Sequence, residues 1–174
     1  EEIKNTINTD EVDVVICPNF VSLDRISDAL EGTSVKLGAQ NVYFEDKGAY
    51  TGETSVDMLA AVGVSYCIVG HSERRQYFAE TDEIVNKKAK KLLEKDICPI
   101  VCVGETLEER ESNTMFEVVE KEVRDSLADI DKELIETVGS IPLDDIDIGK
   151  QRDEKLKEFN TSEDMYLEYC GFLG

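Results

Sequence analysis

The segment Gly70-His71-Ser72-Glu73-Arg74-Arg75 contains the residue types best suited to chemistry in this chain. It follows the apolar run 65–69, a predicted strand, and parallel α/β folds place their active groups at the carboxyl ends of strands. A histidine there can polarise a carbonyl or move a proton, and Ser72 could cap a following helical turn whose positive end disfavours the imidazolium. The competing interpretation is a capped turn beside a solvated ion-pair cluster, and the pattern alone slightly favours it.

Strands and helices alternate on both sides of this segment. Short apolar runs predict strands at residues 13–17, 35–39, 65–69 and 97–103, the first of them covered on both faces. A helical pattern follows each of these strands. Ser22 is expected to cap the first helix and Thr81 the third, while the second is predicted over residues 55–62 and the fourth over residues 113–135. Four strand–helix units predict a parallel sheet with right-handed crossovers, either an open doubly wound sheet or part of a closed barrel.

Composition and charge restrict the classes of partner. The 174 residues are 41% apolar and 33% charged, as in a globular protein, and 39 acidic against 19 basic side chains give a net charge of −20. Such a charge repels polyanions, so nucleic-acid binding is not expected. A lysine-rich helix end, from Lys87 to Lys95, is interpreted as a solvated face that complements the helix dipole. No run of ~20 apolar residues predicts a membrane span, and we expect a cytoplasmic protein.

The five cysteines are interpreted as buried thiols. Cys17, Cys67 and Cys102 lie in apolar runs and Cys98 opens another, while Cys170 is far along the chain. No C-x-x-C pair occurs, so neither a disulfide framework nor a metal site is expected.

A series of motifs extends over residues 14–111 in a consistent order. They are Cys17-Pro18 with Phe20, Gly38-Ala39-Gln40-Asn41, Gly48-Ala49-Tyr50-Thr51-Gly52-Glu53, Val69-Gly70-His71-Ser72-Glu73-Arg74-Arg75, Phe78 with Glu80 and Asp82-Glu83, and Cys102-Val103-Gly104-Glu105 with Glu109-Arg110-Glu111. Together they resemble the triosephosphate isomerase family. The resemblance implies an α/β fold: part of a (β/α)8 barrel, with parallel strands alternating with helices, from the second to the fifth strand–helix unit.

The family's reaction interconverts dihydroxyacetone phosphate and glyceraldehyde 3-phosphate by moving a proton through an enediol. In that established mechanism, a glutamate is the base and a neutral histidine is the electrophile. The resemblance implies that His71 is this electrophile and that Glu73 is a carboxylate that assists it. It implies a small triose phosphate substrate, with no cofactor and no metal.

Five further residues acquire expected roles through the same resemblance. Thr51 is expected at the tip of a loop that enters a neighbouring subunit, and Gln40 and Asn41 near that interface and the site. Arg74 and Glu80 are expected to form an ion pair that steadies the site. An ordinary surface contact of small energetic value is the alternative for that pair.

The match weakens after residue 138. Pro142 aligns with the proline that follows the family's catalytic glutamate, but Ile141 occupies the position of the glutamate and cannot accept a proton. Asp144 stands at a tryptophan and Asp147 at a glycine near the phosphate, where an aspartate would repel the substrate. The family's first-strand lysine has no match, since Lys4 lies outside the motif. We therefore expect absent or very weak turnover by this chain.

These observations define one expected domain. Residues 1–174 are predicted to form a single incomplete barrel, with units two to five in residues 1–138 and a divergent segment and truncated sixth unit in residues 139–174. The expected partners are a second copy of the chain, as a homodimer, or chains that associate through exposed sheet edges. The alternative to an isomerase is a non-catalytic half barrel that serves as a binding or assembly module.

Overall fold

A computed structural model describes residues 12–131. The chain divides into two compact units, Glu1–Asp129 and Ile130–Gly174, and the description below concerns the first. Predictions on residues 1–11 and 132–174, including those on Ile141 and Cys170, lie outside the described residues. Within the described part, no helix is long and apolar enough to cross a membrane.

Strands and helices alternate throughout the described part, as the sequence pattern predicts. The elements are β1 (Val15–Ile16), a 3-10 turn (Phe20–Ser22), α1 (Leu23–Leu30), β2 (Lys36–Ala39), α2 (Val56–Ala61), β3 (Tyr66–Val69), α3 (Ser72–Phe78), α4 (Asp82–Leu93), β4 (Cys98–Val101), α5 (Leu107–Glu111) and α6 (Met115–Ser126).

The four described strands form one parallel sheet in the order β1-β2-β3-β4. The register pairs Ile16 with Leu37, Ala39 with Cys67, and Val69 with Val101. A doubly wound sheet reverses its strand order at a switch point, whereas a barrel adds each strand to the edge of the previous one. The uninterrupted order therefore decides between the two predicted architectures in favour of part of a barrel.

The helices bury their apolar side chains against one face of this sheet. The core includes Leu23 of α1, Leu59 of α2, and Val85 and Leu92 of α4, together with Leu37, Cys67 and Val69 from the strands. In β3 the buried Cys67 and Val69 alternate with the half-buried Tyr66 and Ile68, which point to the other face. All of β1 is only half-buried, so the prediction of a first strand covered on both faces is wrong for the described residues.

One predicted capping hydrogen bond and one predicted helix end also need correction. Ser22 occupies the N-cap position of α1, but its side chain makes no capping hydrogen bond, because the preceding 3-10 turn holds it in a helical conformation. The last helix ends at Ser126 and not near residue 135, since Leu127 leaves helical geometry and Asp129 adopts a positive φ of 57°. Thr81 does cap α4, where its hydroxyl accepts from the Ile84 N–H at 3.4 Å.

The described cysteines are thiols in or beside strands. Cys67 is buried, and Cys17, Cys98 and Cys102 are half-buried, so full burial holds for one of the four. Burial raises the pKa of Cys98 to about 11, and it also raises the pKa values of Cys17 and Cys67. Because the thiolate is the reactive form, these environments favour packing over nucleophilic chemistry.

Candidate active site

His71 follows β3 after Gly70 and immediately precedes the first residue of α3. It occupies the N-cap position itself, and its Nδ1 accepts a hydrogen bond from the Glu73 N–H at 3.4 Å. The prediction that Ser72 caps this helix is therefore wrong, because Ser72 is already its first residue. A ring nitrogen that accepts a hydrogen bond carries no proton, so this geometry assigns the proton of a neutral imidazole to Nε2. The imidazole is 30% exposed and can present that N–H to a ligand.

Glu73 is close to the histidine but mostly in solvent. Its Oε2 lies 3.8 Å from His71 Nδ1, and its side chain is 74% exposed. The pair would attract as ions only if Nδ1 were protonated, which conflicts with the hydrogen bond that Nδ1 accepts. We favour the neutral arrangement, because a backbone N–H occupies the Nδ1 lone pair.

Glu80 is the centre of a buried network behind the histidine. Its Oε1 accepts from the Gly70 N–H at 2.8 Å, and its Oε2 accepts from Arg74 Nε at 2.8 Å and from Lys88 Nζ at 2.5 Å. Lys88 also donates to Asn41 Oδ1 at 2.8 Å. The network thus joins the residues that follow β2 and β3.

Two interpretations made from the sequence are wrong at this network. The side chain of Glu80 is 2% exposed, so the Arg74–Glu80 ion pair is not an ordinary surface contact. The side chain of Lys88 is 3% exposed and belongs to the site, although the sequence placed it on a solvated lysine face. A helical wheel would find the signal, because Lys88 shares the buried side of α4 with Val85 and Leu92.

The charges in this network are compensated. Burial raises the pKa of Glu80, but hydrogen bonds from Lys88, Arg74 and the Gly70 N–H outweigh burial and leave that pKa below its ordinary value. Burial lowers the pKa of Lys88, and the adjacent Glu80 carboxylate opposes that effect. Glu80 is therefore ionised at neutral pH, with three donors directed at its two oxygens.

Arg75 organises a second cluster, which the sequence had suggested to be a solvated ion pair. Its Nε donates to Gly70 O at 2.7 Å, its Nη2 to Cys102 O at 3.3 Å and its Nη1 to Asp82 Oδ1 at 2.6 Å. Glu122 Oε1 lies 3.6 Å from the same Nη1. Its partners Asp82 and Glu122 were missed because they come from two different helices, and one sequence contains no sign of that proximity.

The remaining predicted residues occupy other positions. Gln40 is exposed, and its Nε2 donates to Cys17 O at 3.0 Å, which links the segments that follow β1 and β2. Asn41 is 8% exposed and reaches the site through Lys88. Thr51 is exposed at a turn, next to a Tyr50 ring that packs on Tyr43 with centroids 4.8 Å apart. The structure thus brings Asn41, His71, Arg74 and Glu80 into one region and places Gln40 and Thr51 in separate contacts.

This arrangement can bind and polarise a carbonyl group. Two anchored backbone groups, the N–H and C=O of Gly70, fix the peptide before His71, and the imidazole offers an Nε2–H donor. Among residues 12–131, no three side chains of the metal-ligating types form a group that could hold an ion.

Comparison with known proteins finds relatives among the triosephosphate isomerases. The triosephosphate isomerase family model matches residues 1–141. The triosephosphate isomerase of Alkaliphilus oremlandii is 50% identical over 137 residues, which cover 79% of this chain and 55% of that protein. The one from Endomicrobium trichonymphae is 57% identical over 119 residues, 68% of this chain and 48% of that protein. The one from Clostridium botulinum strain Langeland is 46% identical over an alignment 176 residues long, which covers 97% of this chain and 71% of that protein.

A solved structure gives the same result for the fold. The crystal structure of triosephosphate isomerase from Bartonella henselae aligns with a TM-score of 0.66 at 41% identity, over 68% of this chain and 50% of that one. The chain spans about half the length of the first two curated relatives described above.

Proposed function

The chain belongs to the triosephosphate isomerase family, and we propose that it serves this family's glycolytic reaction, the interconversion of dihydroxyacetone phosphate and glyceraldehyde 3-phosphate. The observation that carries the proposal is His71, held after β3 with Nδ1 occupied by a backbone N–H. Its Nε2–H is then the group that donates to the substrate carbonyl. The cytoplasm is the proposed location.

The contacts of each residue support the role proposed for it. As a proton leaves the carbon next to the carbonyl, negative charge develops on the carbonyl oxygen, and the His71 Nε2–H stabilises it. Glu73 assists from the solvent side. Arg74 and Glu80 keep the Gly70–His71 backbone in place, since Glu80 binds the Gly70 N–H.

The position that matches the family's general base holds a residue that cannot act as one. The matching position is Ile141, and isoleucine cannot remove a proton, so we propose that this chain alone binds substrate but turns it over very weakly. A missing base costs about 100-fold or more in rate. The alternative, a non-catalytic binding or assembly module, predicts no specific binding of a triose phosphate.

Binding is tested first because it does not depend on turnover. His71 is the only histidine of the chain, so its imidazole gives a single ¹³C–¹H signal after selective labelling. Titration with dihydroxyacetone phosphate is expected to shift this signal in a saturable manner, whereas inorganic sulfate at the same ionic strength is not. An unshifted signal at millimolar substrate would contradict the isomerase proposal and favour the module.

Turnover is tested by restoring the base. A coupled assay should detect an increase for Ile141→Glu over the natural chain, and the added His71→Gln substitution should remove that increase. Ile141→Gln is the matched control, since it adds a polar side chain of similar size without a base. Activity of the natural chain that disappears in His71→Ala would mean that another residue supplies the base.

We also propose that the chain forms a homodimer through the loop 48–53 and the exposed end of α3. Tyr77 and Phe78 are 69% and 66% exposed at that end, and the Arg74 guanidinium lies 4.7 Å from the centre of the Phe78 ring. Glycine at position 48 permits a close approach within the loop, because a Cβ there would meet the Tyr50 ring at 2.6 Å. Exposed aromatic side chains are typical of a docking surface.

Sedimentation velocity tests this dimer. Phe78→Glu should shift the chain from dimer to monomer, while Val21→Glu, at a 92% exposed site in the 3-10 turn after β1, should not. A chain that is monomeric at all accessible concentrations would contradict the proposed homodimer. Equal loss of dimer in both variants would contradict the proposed surface.

A further inference from the structure

The charge cluster around Arg75 is not used by the proposed reaction, yet it touches the backbone that supports His71. The Arg75 side chain is 17% exposed, and the carboxylates of Asp82 and Glu122 are 10% and 15% exposed. Lys121 donates to the second Asp82 oxygen at 3.1 Å. Two carboxylates therefore share one half-buried guanidinium, with a single more exposed lysine at the edge.

Arg75 connects the carboxyl ends of two neighbouring strands. Its Nε donates to Gly70 O, directly after β3, and its Nη2 donates to Cys102 O, directly after β4. The Gly70 carbonyl belongs to the peptide bond that enters His71. With the Gly70 N–H bound by Glu80, both polar groups of Gly70 are held by side chains.

Glu122 holds the same region from α6. Its Oε2 accepts from the Gly104 N–H at 2.9 Å, and its Oε1 faces Arg75 Nη1 at 3.6 Å. Gly104 lies two residues after Cys102, so Arg75 and Glu122 form hydrogen bonds with nearby backbone groups of the segment that follows β4. One arginine and one glutamate thereby anchor three backbone groups at the edge of the site.

The surroundings of Glu122 disfavour its ionised form. Burial raises the pKa of Glu122, and the hydrogen bond from Gly104 and the charge of Arg75 oppose this shift. Asp82 of α4 and Glu109 of α5 face it and raise the pKa further. Because the folded pKa is raised, ionisation of this carboxylate at neutral pH lowers stability relative to its protonated form. Its placement is better explained by the backbone groups that it holds.

We propose that Arg75 and Glu122 are positioning residues, which clasp the carboxyl ends of β3 and β4 and thereby fix the orientation of His71. The clasp rests on the proposed function, since it matters for catalysis only if His71 acts on the substrate. It assigns these two residues an action through the Gly70–His71 peptide, without contact with the substrate.

Amide hydrogen exchange on the full chain tests the clasp without substrate or turnover. Glu122→Gln keeps the size of the side chain and removes its charge, and Arg75→Lys replaces the planar fork, whose separate Nε and Nη2 donors reach the two carbonyls, with a single ammonium nitrogen. Each variant should accelerate exchange of the Cys102 N–H, which donates to Val69 O, by about tenfold. The Cys98 N–H, which donates to Ser65 O at the other end of the same strand pair, should be unaffected.

Two controls separate positioning from a general loss of structure. Glu120→Gln removes an exposed carboxylate from the same helix and should change neither amide. The ¹³C–¹H signal of His71 should shift or broaden in Glu122→Gln and Arg75→Lys and stay in place in Glu120→Gln. An unchanged His71 signal and unchanged Cys102 exchange in both clasp variants would overturn the proposal, and so would equal acceleration at Cys98 and Cys102.

The failure of this proposal is distinguishable from a failure of the proposed function. If the chain has no isomerase activity, amide hydrogen exchange and the His71 ¹³C–¹H signal can still be measured, because neither requires turnover. If the Ile141→Glu background is active, Glu122→Gln in that background should lower kcat several-fold with little change in KM, because it misplaces His71 without removing a substrate contact. A change confined to KM would contradict a positioning role.

Discussion

Glu80 shows how one residue can combine a structural charge with support of a site. Its carboxylate is taken out of water and receives three donors, which come from the chain after β3, from α3 and from α4. Removing one member of a buried ion pair is more damaging than the pair is stabilising, because the partner charge stays buried. The same carboxylate fixes the Gly70 N–H, so stability and site geometry depend on one side chain.

We predict that Glu80→Gln destabilises the fold by about 3–5 kcal/mol at pH 7, because Lys88 is left without its carboxylate. The folded pKa of Glu80 lies below its ordinary value, so its contribution is complete above pH 4.5 and disappears as pH falls through the folded pKa. Urea unfolding at several pH values should show that the difference in free energy of unfolding between this variant and the unsubstituted chain shrinks below pH 4.5. Glu73→Gln, at an exposed carboxylate, is the control and should have little effect.

Gly70 is the residue that permits the close contact between the two strand ends. Its φ is +75°, and a Cβ there would meet Cys102 O at 2.9 Å and both Arg75 Nη2 and Val85 Cγ2 at 3.1 Å. We predict that Gly70→Ala costs about 2–5 kcal/mol, from the left-handed backbone and from overpacking. Gly104→Ala, where a Cβ meets nothing within 4 Å, should cost under about 1 kcal/mol. Equal losses of stability in Gly70→Ala and Gly104→Ala, measured by thermal denaturation, would contradict the predicted difference.

At the scale of elements, the contact between β1 and β2 depends on a small residue. Gly38 of β2 pairs with Tyr66 of β3 and packs against side chains from the first strand region. A Cβ on Gly38 would collide with Cys17 Sγ and would lie 2.9 Å from Val15 Cγ1. Side chains from the β1 region occupy the space that a larger residue at position 38 would need.

We therefore predict that Gly38→Ala destabilises the chain by about 1–3 kcal/mol through overpacking. Cys17→Ala should partly compensate, because it removes the Sγ atom, while Val15 Cγ1 still limits the recovery. A double-mutant cycle by urea unfolding should give a favourable coupling energy of about 1 kcal/mol. If the losses of unfolding free energy in the two single variants simply add, the added Cβ is accommodated by a shift of β1 from β2 and not by the space that Cys17 Sγ occupies.

At the scale of the molecule, the net charge of −20 opposes compaction. Several described ion pairs are exposed, such as Lys95 with Asp57 at 2.8 Å and Lys91 with Glu94 at 2.8 Å, and exposed pairs contribute little. The network around Glu80 is buried and the cluster around Arg75 is half-buried, so solvent ions screen both less than they screen exposed pairs. Salt should therefore act mainly by screening the excess negative charge.

We predict that the Tm rises by a few degrees as NaCl increases from about 10 mM to about 500 mM. The measurement is thermal unfolding followed by circular dichroism at pH 7. Equal ionic strength from sodium sulfate separates screening from the added effect of an excluded anion. A Tm that falls with NaCl would mean that attractive ion pairs outweigh the repulsion.

The alternation of elements was predictable because it depends on local patterns. Short apolar runs and helical spacing identified all four described strands and the main helices, although Ser22 makes no capping hydrogen bond and the last described helix was predicted too long. The motif around His71 was found because its residues are contiguous. The buried roles of Lys88, Asp82 and Glu122 were not found, since their partners lie on other elements and contacts between elements have no trace in one sequence.

The sequence by itself determined the class of fold, the family and the position of His71 at the end of a strand, because periodicity, capping residues and contiguous motifs act over a few residues. Only the tertiary structure decided that the strand order is that of a barrel, that His71 and not Ser72 caps α3, and that Glu80 and Arg75 each anchor one polar group of Gly70. The physical reason is burial. Whether a charged side chain is solvated or compensated depends on which elements pack around it, and packing is settled only when the whole chain is folded.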